Sequence, residues 1–93
     1  MVTGMILLTV EHDRISTVAQ EVVKFDGVSE VYSVGGRCDL VVIVRARDNE
    51  QLAELVTDRL LKVKGITGSE TMIAFKVYSR HDLERMFSIG AED

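Results

Sequence analysis

The side chains in this sequence best suited to covalent or metal chemistry are two histidines, His12 and His81, and a lone cysteine, Cys38. A nucleophile needs a base within hydrogen-bond reach, and that base is usually histidine. Neither histidine is near Cys38 in sequence. Neither sits inside an apolar pattern, or at the spacing from a second ligand that a zinc site requires. His12 precedes the first helical pattern and His81 follows the last strand pattern, so both read as solvated loop or cap residues. Asp82 and Glu84, beside His81, read as first-turn acids that complement a helix dipole. Arg37 adjoins Cys38, the kind of neighbour that activates thiols. With no histidine to take its proton, Cys38 reads better as a small buried hydrophobe. Gly35-Gly36-Arg37 has neither the length nor the Lys-Ser/Thr ending of a phosphate loop. No catalytic constellation, metal set or cofactor motif can be assembled, and the chain reads as a protein that is not an enzyme.

What remains is recognition chemistry. In Gly35-Gly36-Arg37-Cys38-Asp39 two glycines expose backbone N–H groups that a small anionic group could approach. Asp39 follows at once as an acceptor for an ammonium. Donors beside a fixed carboxylate are what a zwitterionic amino acid needs. The same residues also read as a Gly-Gly hairpin whose turn Asp39 supports. Ser69 and Thr71 first read as polar residues opening a strand. Being two apart, they point to the same side of that strand and could hydrogen-bond a ligand lying over it.

The elements that must position these residues follow from the hydrophobic period. Met5 to Val10 is strand-like throughout. From Asp13, a candidate N-cap, Ile15, Val18, Ala19, Val22 and Val23 recur at helical spacing, and Gly27 stops the helix. Val28–Val34 reads as a strand, Gly35-Gly36-Arg37 as a hairpin turn and Leu40–Val44 as the strongest strand. Asp48 or Asn49 caps a second helix with the stripe Leu52, Leu55, Val56, Leu60 and Val63, ending at Gly65. Thr71–Tyr78 reads as a last strand, and Ser79 as the cap of a short terminal helix carrying Leu83, Met86 and Phe87. A weak repeat supports the order: Lys24-Phe25-Asp26-Gly27-Val28-Ser29 matches Lys62-Val63-Lys64-Gly65-Ile66-Thr67 in residue type, with the glycines 38 positions apart. Two such strand-helix-strand units predict an α+β, ferredoxin-like β-α-β-β-α-β plait. Its four-stranded antiparallel sheet carries both helices on one face.

The chain has 93 residues and a mass of 10.4 kDa, one core's worth of burial. At 46% hydrophobic and 28% charged it is not disordered by composition. A net charge of -4 supplies no basic footprint for nucleic acid. Its longest apolar run, Leu40–Val44, is far too short to cross a bilayer, and no basic segment precedes an apolar one at the N-terminus. The expectation is a soluble, cytoplasmic single domain over residues 1–93. The strands, however, are apolar on both faces. Met5, Leu7, Val41, Ile43, Ile73 and Phe75 form a second apolar face, or do so in the alternate register. Exposed apolar surface of that size usually marks an interface, here one sheet packed on another chain's sheet.

Taken in series, Gly36-x-x-Asp39 opening an apolar strand, an amphipathic helix, Lys64-Gly65-Ile66 and Ser69-x-Thr71-x-Ile73 resemble the effector-binding domain of the Lrp/AsnC family of transcription regulators. The resemblance covers about residues 3–78. It implies the same plait, dimers formed sheet to sheet, and dimers closed into larger rings. It further implies an amino-acid effector bound near the glycine turn and the start of the last strand. By resemblance, Gly35, Gly36, Arg37, Asp39, Ser69 and Thr71 form the ligand site: Gly36 supplies backbone contact, Asp39 holds the α-amino group, and Ser69 and Thr71 offer hydroxyls. Cys38 stands where the family often has an aromatic residue, Gly35 where it often has Ser or Thr, and Arg37 is an unusually charged occupant of the turn. Family members usually carry an N-terminal helix-turn-helix. This chain opens on the first strand, which implies a stand-alone effector domain that contacts no DNA or membrane and co-assembles with full-length regulators. Two other readings are an oligomerisation scaffold with a degenerate pocket and an enzyme of the dimeric α/β-barrel type.

Overall fold

The computed structural model describes residues 1–80. The strand-like and helical periods alternate along it as β1 (Val2–Val10), α1 (Ile15–Val22), β2 (Val28–Ser33), β3 (Leu40–Ala46), α2 (Asn49–Glu54) and β4 (Ile66–Ile73). A 3-10 turn, His12–Arg14, leads into α1, and Asp13 caps no helix N–H with its side chain. Asp48 does cap α2: its Oδ1 accepts from the Gln51 N–H at 2.8 Å. Past Glu54 the helix widens into a π-helical turn (Leu55–Arg59) and then tightens into a 3-10 turn (Leu60–Lys62). The strands lie antiparallel in the order β2-β3-β1-β4. Fold class and strand order are those of the ferredoxin-like plait.

Alternation assigns the two faces. Ile6, Leu8 and Val10 of β1 and Leu40, Val42, Val44 and Ala46 of β3 are buried against Val18 and Val22 of α1 and against Leu52, Leu55, Val56 and Leu60. Each such Val, Leu or Ile side chain, fully buried, contributes roughly 1.5–3 kcal/mol. Both helices therefore cover one face. The opposite face presents Met5, Leu7, Val41 and Ile43, with Tyr32 and Met72 beside them. No helix among the described residues is long and apolar enough to cross a membrane.

The sequence repeat is a structural repeat. Gly27 and Gly65 have φ of 94° and 105°, left-handed backbone that glycine adopts without strain. The Gly27 carbonyl accepts from the Arg45 N–H at 2.7 Å, and the Gly65 carbonyl from the Glu11 N–H at 2.8 Å. Each turn thus closes onto the end of the other unit's first strand. Each is followed by a register slip: Val28 pairs with Val44 but Glu30 with Ile43, and Ile66 pairs with Val10 but Gly68 with Thr9. The hydroxyl residue of each repeat, Ser29 or Thr67, is the extra residue of a bulge.

One strand is displaced from its expected place. β4 runs Ile66–Ile73 rather than Thr71–Tyr78. The apolar alternation from Met72 to Val77 suggests a strand, but β1 has few residues left to pair with it: Gly4 already faces Ile73. One more bond forms, from the Ala74 N–H to the Thr3 carbonyl at 2.9 Å. Beyond it Phe75, Val77 and Tyr78 are exposed. The true strand is polar because it is an edge strand with nearly every side chain in solvent. The shift also changes the second apolar face, where Met72 replaces Ile73 and Phe75 beside Met5. The terminal helix expected after Ser79, with Leu83, Met86 and Phe87, lies outside the described residues.

Candidate functional site

A pocket of about 240 Å³ opens at one end of the helix-free face. Its floor is β1, through Leu7 and Thr9. One wall is β4, through Gly68, Ser69 and Glu70, and the other is the connection from β2 to β3, through Arg37 and Cys38. Gly68 is required here by close approach: a Cβ on it would stand 2.6 Å from Thr9 Oγ1. Thr67 Oγ1 hydrogen-bonds Thr9 Oγ1 at 3.3 Å, tying β4 to β1 beside the pocket.

Arg37 and Ser69, both expected in a ligand site, line this pocket together. Gly35 and Gly36 sit in the exposed connection above β3. Only Gly36 has a positive φ, 120°, and a Cβ on either would touch nothing within 4 Å. The connection spans Val34 to Asp39 rather than a tight three-residue turn. Asp39 closes it. Its carbonyl accepts from the Val34 N–H at 3.0 Å, its N–H donates to the Leu8 carbonyl at 2.9 Å, and its Oδ2 accepts from the Val10 N–H at 2.8 Å. The β1–β3 ladder ends at Leu8 and Leu40, so Val10 has no strand partner on that side, and the half-buried Asp39 carboxylate supplies one. Asp39 is not among the residues lining the pocket.

Ser69 and Thr71 do share a face, as their spacing requires. By register with Leu8 and Ile6 it is the helix face. Thr71 lines a second, mostly apolar groove of about 230 Å³ with Leu52, Ala53, Val56 and Ile73. It is not brought to the Arg37 pocket. The residue between them, Glu70, faces the pocket instead. Sequence reasoning passed over Glu70, because simple alternation from Ile66 would turn it to the helix face and only the bulge at Thr67 brings it to the pocket. Among the described residues Arg37 and Glu70 form no ion pair, so two opposite charges line one pocket unpaired with each other. Cys38 is half-buried and free. His12 is exposed, and His81 lies outside the described residues. No group of three or more His, Cys, Asp or Glu among the described residues could hold a metal.

This arrangement can bind and orient a small polar molecule beside an apolar sheet face, and the comparisons with known proteins say in which setting. Residues 3–83 match the family model of the Lrp/AsnC ligand binding domain, and the chain belongs to that family. It is 34% identical over 77 residues to the HTH-type transcriptional regulator FL11 of Pyrococcus furiosus, covering 83% of this chain and 50% of that one. The chain spans about half the length of the curated relatives it first matches. The crystal structure of TTHA0845 from Thermus thermophilus superimposes with a TM-score of 0.81 at 36% identity, covering 86% of this chain and all of that one. A transcriptional regulator of Neisseria meningitidis, NMB0573 in complex with L-Met, shares the fold at a TM-score of 0.77 and 18% identity, over 85% of this chain and 53% of that one. This chain is thus a regulatory ligand-binding domain of the kind found in transcription regulators.

Proposed function

We propose that this chain is a non-enzymatic, oligomeric amino-acid sensor that modulates transcription by assembling with full-length Lrp/AsnC-type regulators. The observation carrying the reading is the pocket lined by Arg37, Thr9 and Glu70, which offers charge and hydroxyl recognition next to an apolar face suited to a second copy. Its volume lies below the 300–1,000 Å³ of sites for drug-sized ligands, which suits a metabolite the size of an amino acid. The Neisseria relative's complex with L-Met supports the same ligand class. The helix-free face, with Met5, Leu7, Val41, Ile43 and Met72, is the surface on which two copies pack, and further contacts close dimers into a ring. With a net charge of -4, the assembly reads DNA through its partners.

A thermal-shift series with the twenty protein amino acids tests the sensing. A ligand that binds only the folded state at a hundred times its Kd stabilises it by about 2.7 kcal/mol. At least one amino acid is expected to raise Tm by several degrees. No shift with any of them leaves the chain an oligomerisation scaffold.

A further inference from the structure

We infer that Glu70 and Arg37 are the pair that reads the two charges of a zwitterionic amino acid, Glu70 taking the ammonium and Arg37 the carboxylate, while Asp39 serves the fold. This deepens the sensing reading proposed above and rests on it.

Three observations carry the inference. First, Asp39 is held in the fold and is not among the residues lining the pocket. One carboxylate oxygen holds the Val10 N–H at 2.8 Å, and both backbone groups of Asp39 are bonded as well. Moving that carboxylate onto a ligand would strand the Val10 N–H beyond the end of the ladder, at the cost of an unmet donor. Second, among the described residues Glu70 is the only acid and Arg37 the only base lining the pocket, and they approach from opposite sides of β1. Adjacent strands are about 4.8 Å apart, so walls on either side of one strand stand roughly 10 Å apart at the backbone. The two side chains reaching inward leave a gap suited to a molecule carrying both charges on one carbon. Third, the pair forms no ion pair across that gap, so binding need not first separate Glu70 from Arg37. Thr9 adds a hydroxyl, and Leu7 and Cys38 leave an apolar corner for an uncharged side chain. Guanidinium on carboxylate is also the geometry in which arginine binds best, through two parallel hydrogen bonds. The class of ligand is an α-amino acid with a small uncharged side chain, preferred over amines or acids carrying one of the two charges.

Titration calorimetry decides the matter. The twenty L-amino acids are tried on the wild-type chain, and the tightest binder is repeated beside its decarboxylated amine and its deaminated acid. Glu70→Gln is expected to weaken the amino acid and the amine by about 10- to 100-fold, the worth of a hydrogen bond to a charged group. The deaminated acid should bind it as it binds wild type. Arg37→Gln should give the mirror pattern, losing the amino acid and the acid but not the amine. Asp39→Asn should lower Tm while holding the amino-acid affinity near wild type. Affinity unchanged in Glu70→Gln, or lost in Asp39→Asn at unchanged Tm, overturns the assignment and returns the ammonium to Asp39. Circular dichroism of each variant keeps a folding failure from being read as lost binding. If wild type binds none of the twenty, the sensing reading fails first and the charge assignment with it, an outcome distinct from a variant that binds when it should not.

Discussion

At the scale of single residues, one carboxylate settles how the β2–β3 connection is held. Asp39 looks available for a ligand when read as part of a glycine turn, yet its Oδ2 completes a backbone bond that β3 is too short to make. Asp39→Ala should therefore destabilise the fold itself, by about 1.5–3 kcal/mol for a hydrogen bond to a charged acceptor. Urea unfolding of the ligand-free chain measures it, and an unchanged midpoint would mean water replaces the carboxylate at no cost. A second pair responds to pH. Tyr32 donates its hydroxyl to Glu30 Oε2 at 2.6 Å, and that bond, together with the carboxylate's negative charge, holds the phenol pKa above its usual 10. The folded chain thus keeps the proton to a higher pH than the unfolded chain does. The contact contributes fully below pH 10 and is lost as pH rises through the folded value. In a Tyr78→Phe background, Glu30→Gln should lower the phenolate midpoint of Tyr32 followed by ultraviolet absorbance; an unmoved midpoint would dissolve the pair.

At the scale of elements, the repeated Gly turn is the clearest link from sequence to structure. Both glycines occupy left-handed backbone, which costs a residue with a Cβ about 1–2 kcal/mol. Gly27→Ala should cost at least that much, its Cβ standing 3.3 Å from the Arg45 carbonyl oxygen. Gly65→Ala should cost more, because its Cβ would lie 3.0–3.2 Å from atoms of the Arg14 side chain, which donates to the Lys64 carbonyl. Equal thermal midpoints for the two variants would remove the Arg14 contact from the explanation. The helices and β3 are readable from period alone because each has a one-sided or continuous apolar pattern. β4 is not. It is an edge strand, polar on the stretch that pairs and apolar on the stretch that leaves the sheet, so hydrophobicity points five residues too far along, from Ile66 to Thr71. The same misplacement hides Glu70, since a strand begun at Ile66, with a bulge at Thr67, is what turns Glu70 outward.

For the whole molecule, one sheet face is buried under helices and the other is not. Leu7, Val41 and Ile43 are half-covered and Met5 and Met72 exposed, a contiguous apolar area of the kind that marks an interface. Multi-angle light scattering at micromolar concentration should report a dimer or larger. Ile43→Glu, placed at the centre of the face between Met5 and Glu30 in register, should shift the mass to a monomer with the circular dichroism spectrum retained. A monomeric wild type would overturn the expected oligomer, and an Ile43→Glu variant that stays associated would move the interface elsewhere on the surface.

Local chemistry was enough to establish the plait. Two helical stripes, a strand period and two matching glycine exits admit few other packings, and each signal lies within a span of residues that are neighbours in the chain. The family resemblance, too, lay in contiguous motifs. The pocket belongs to another order of information. Arg37, Thr9 and Glu70 come from three separate stretches of chain, and only strand pairing makes them neighbours. Which of two acids faces the pocket depends on a one-residue bulge at Thr67 and on β3 beginning only after Asp39. A strand reverses every side chain with a slip of one position, so that choice is made by register, and register is fixed by contacts between strands rather than by the order of residues along one.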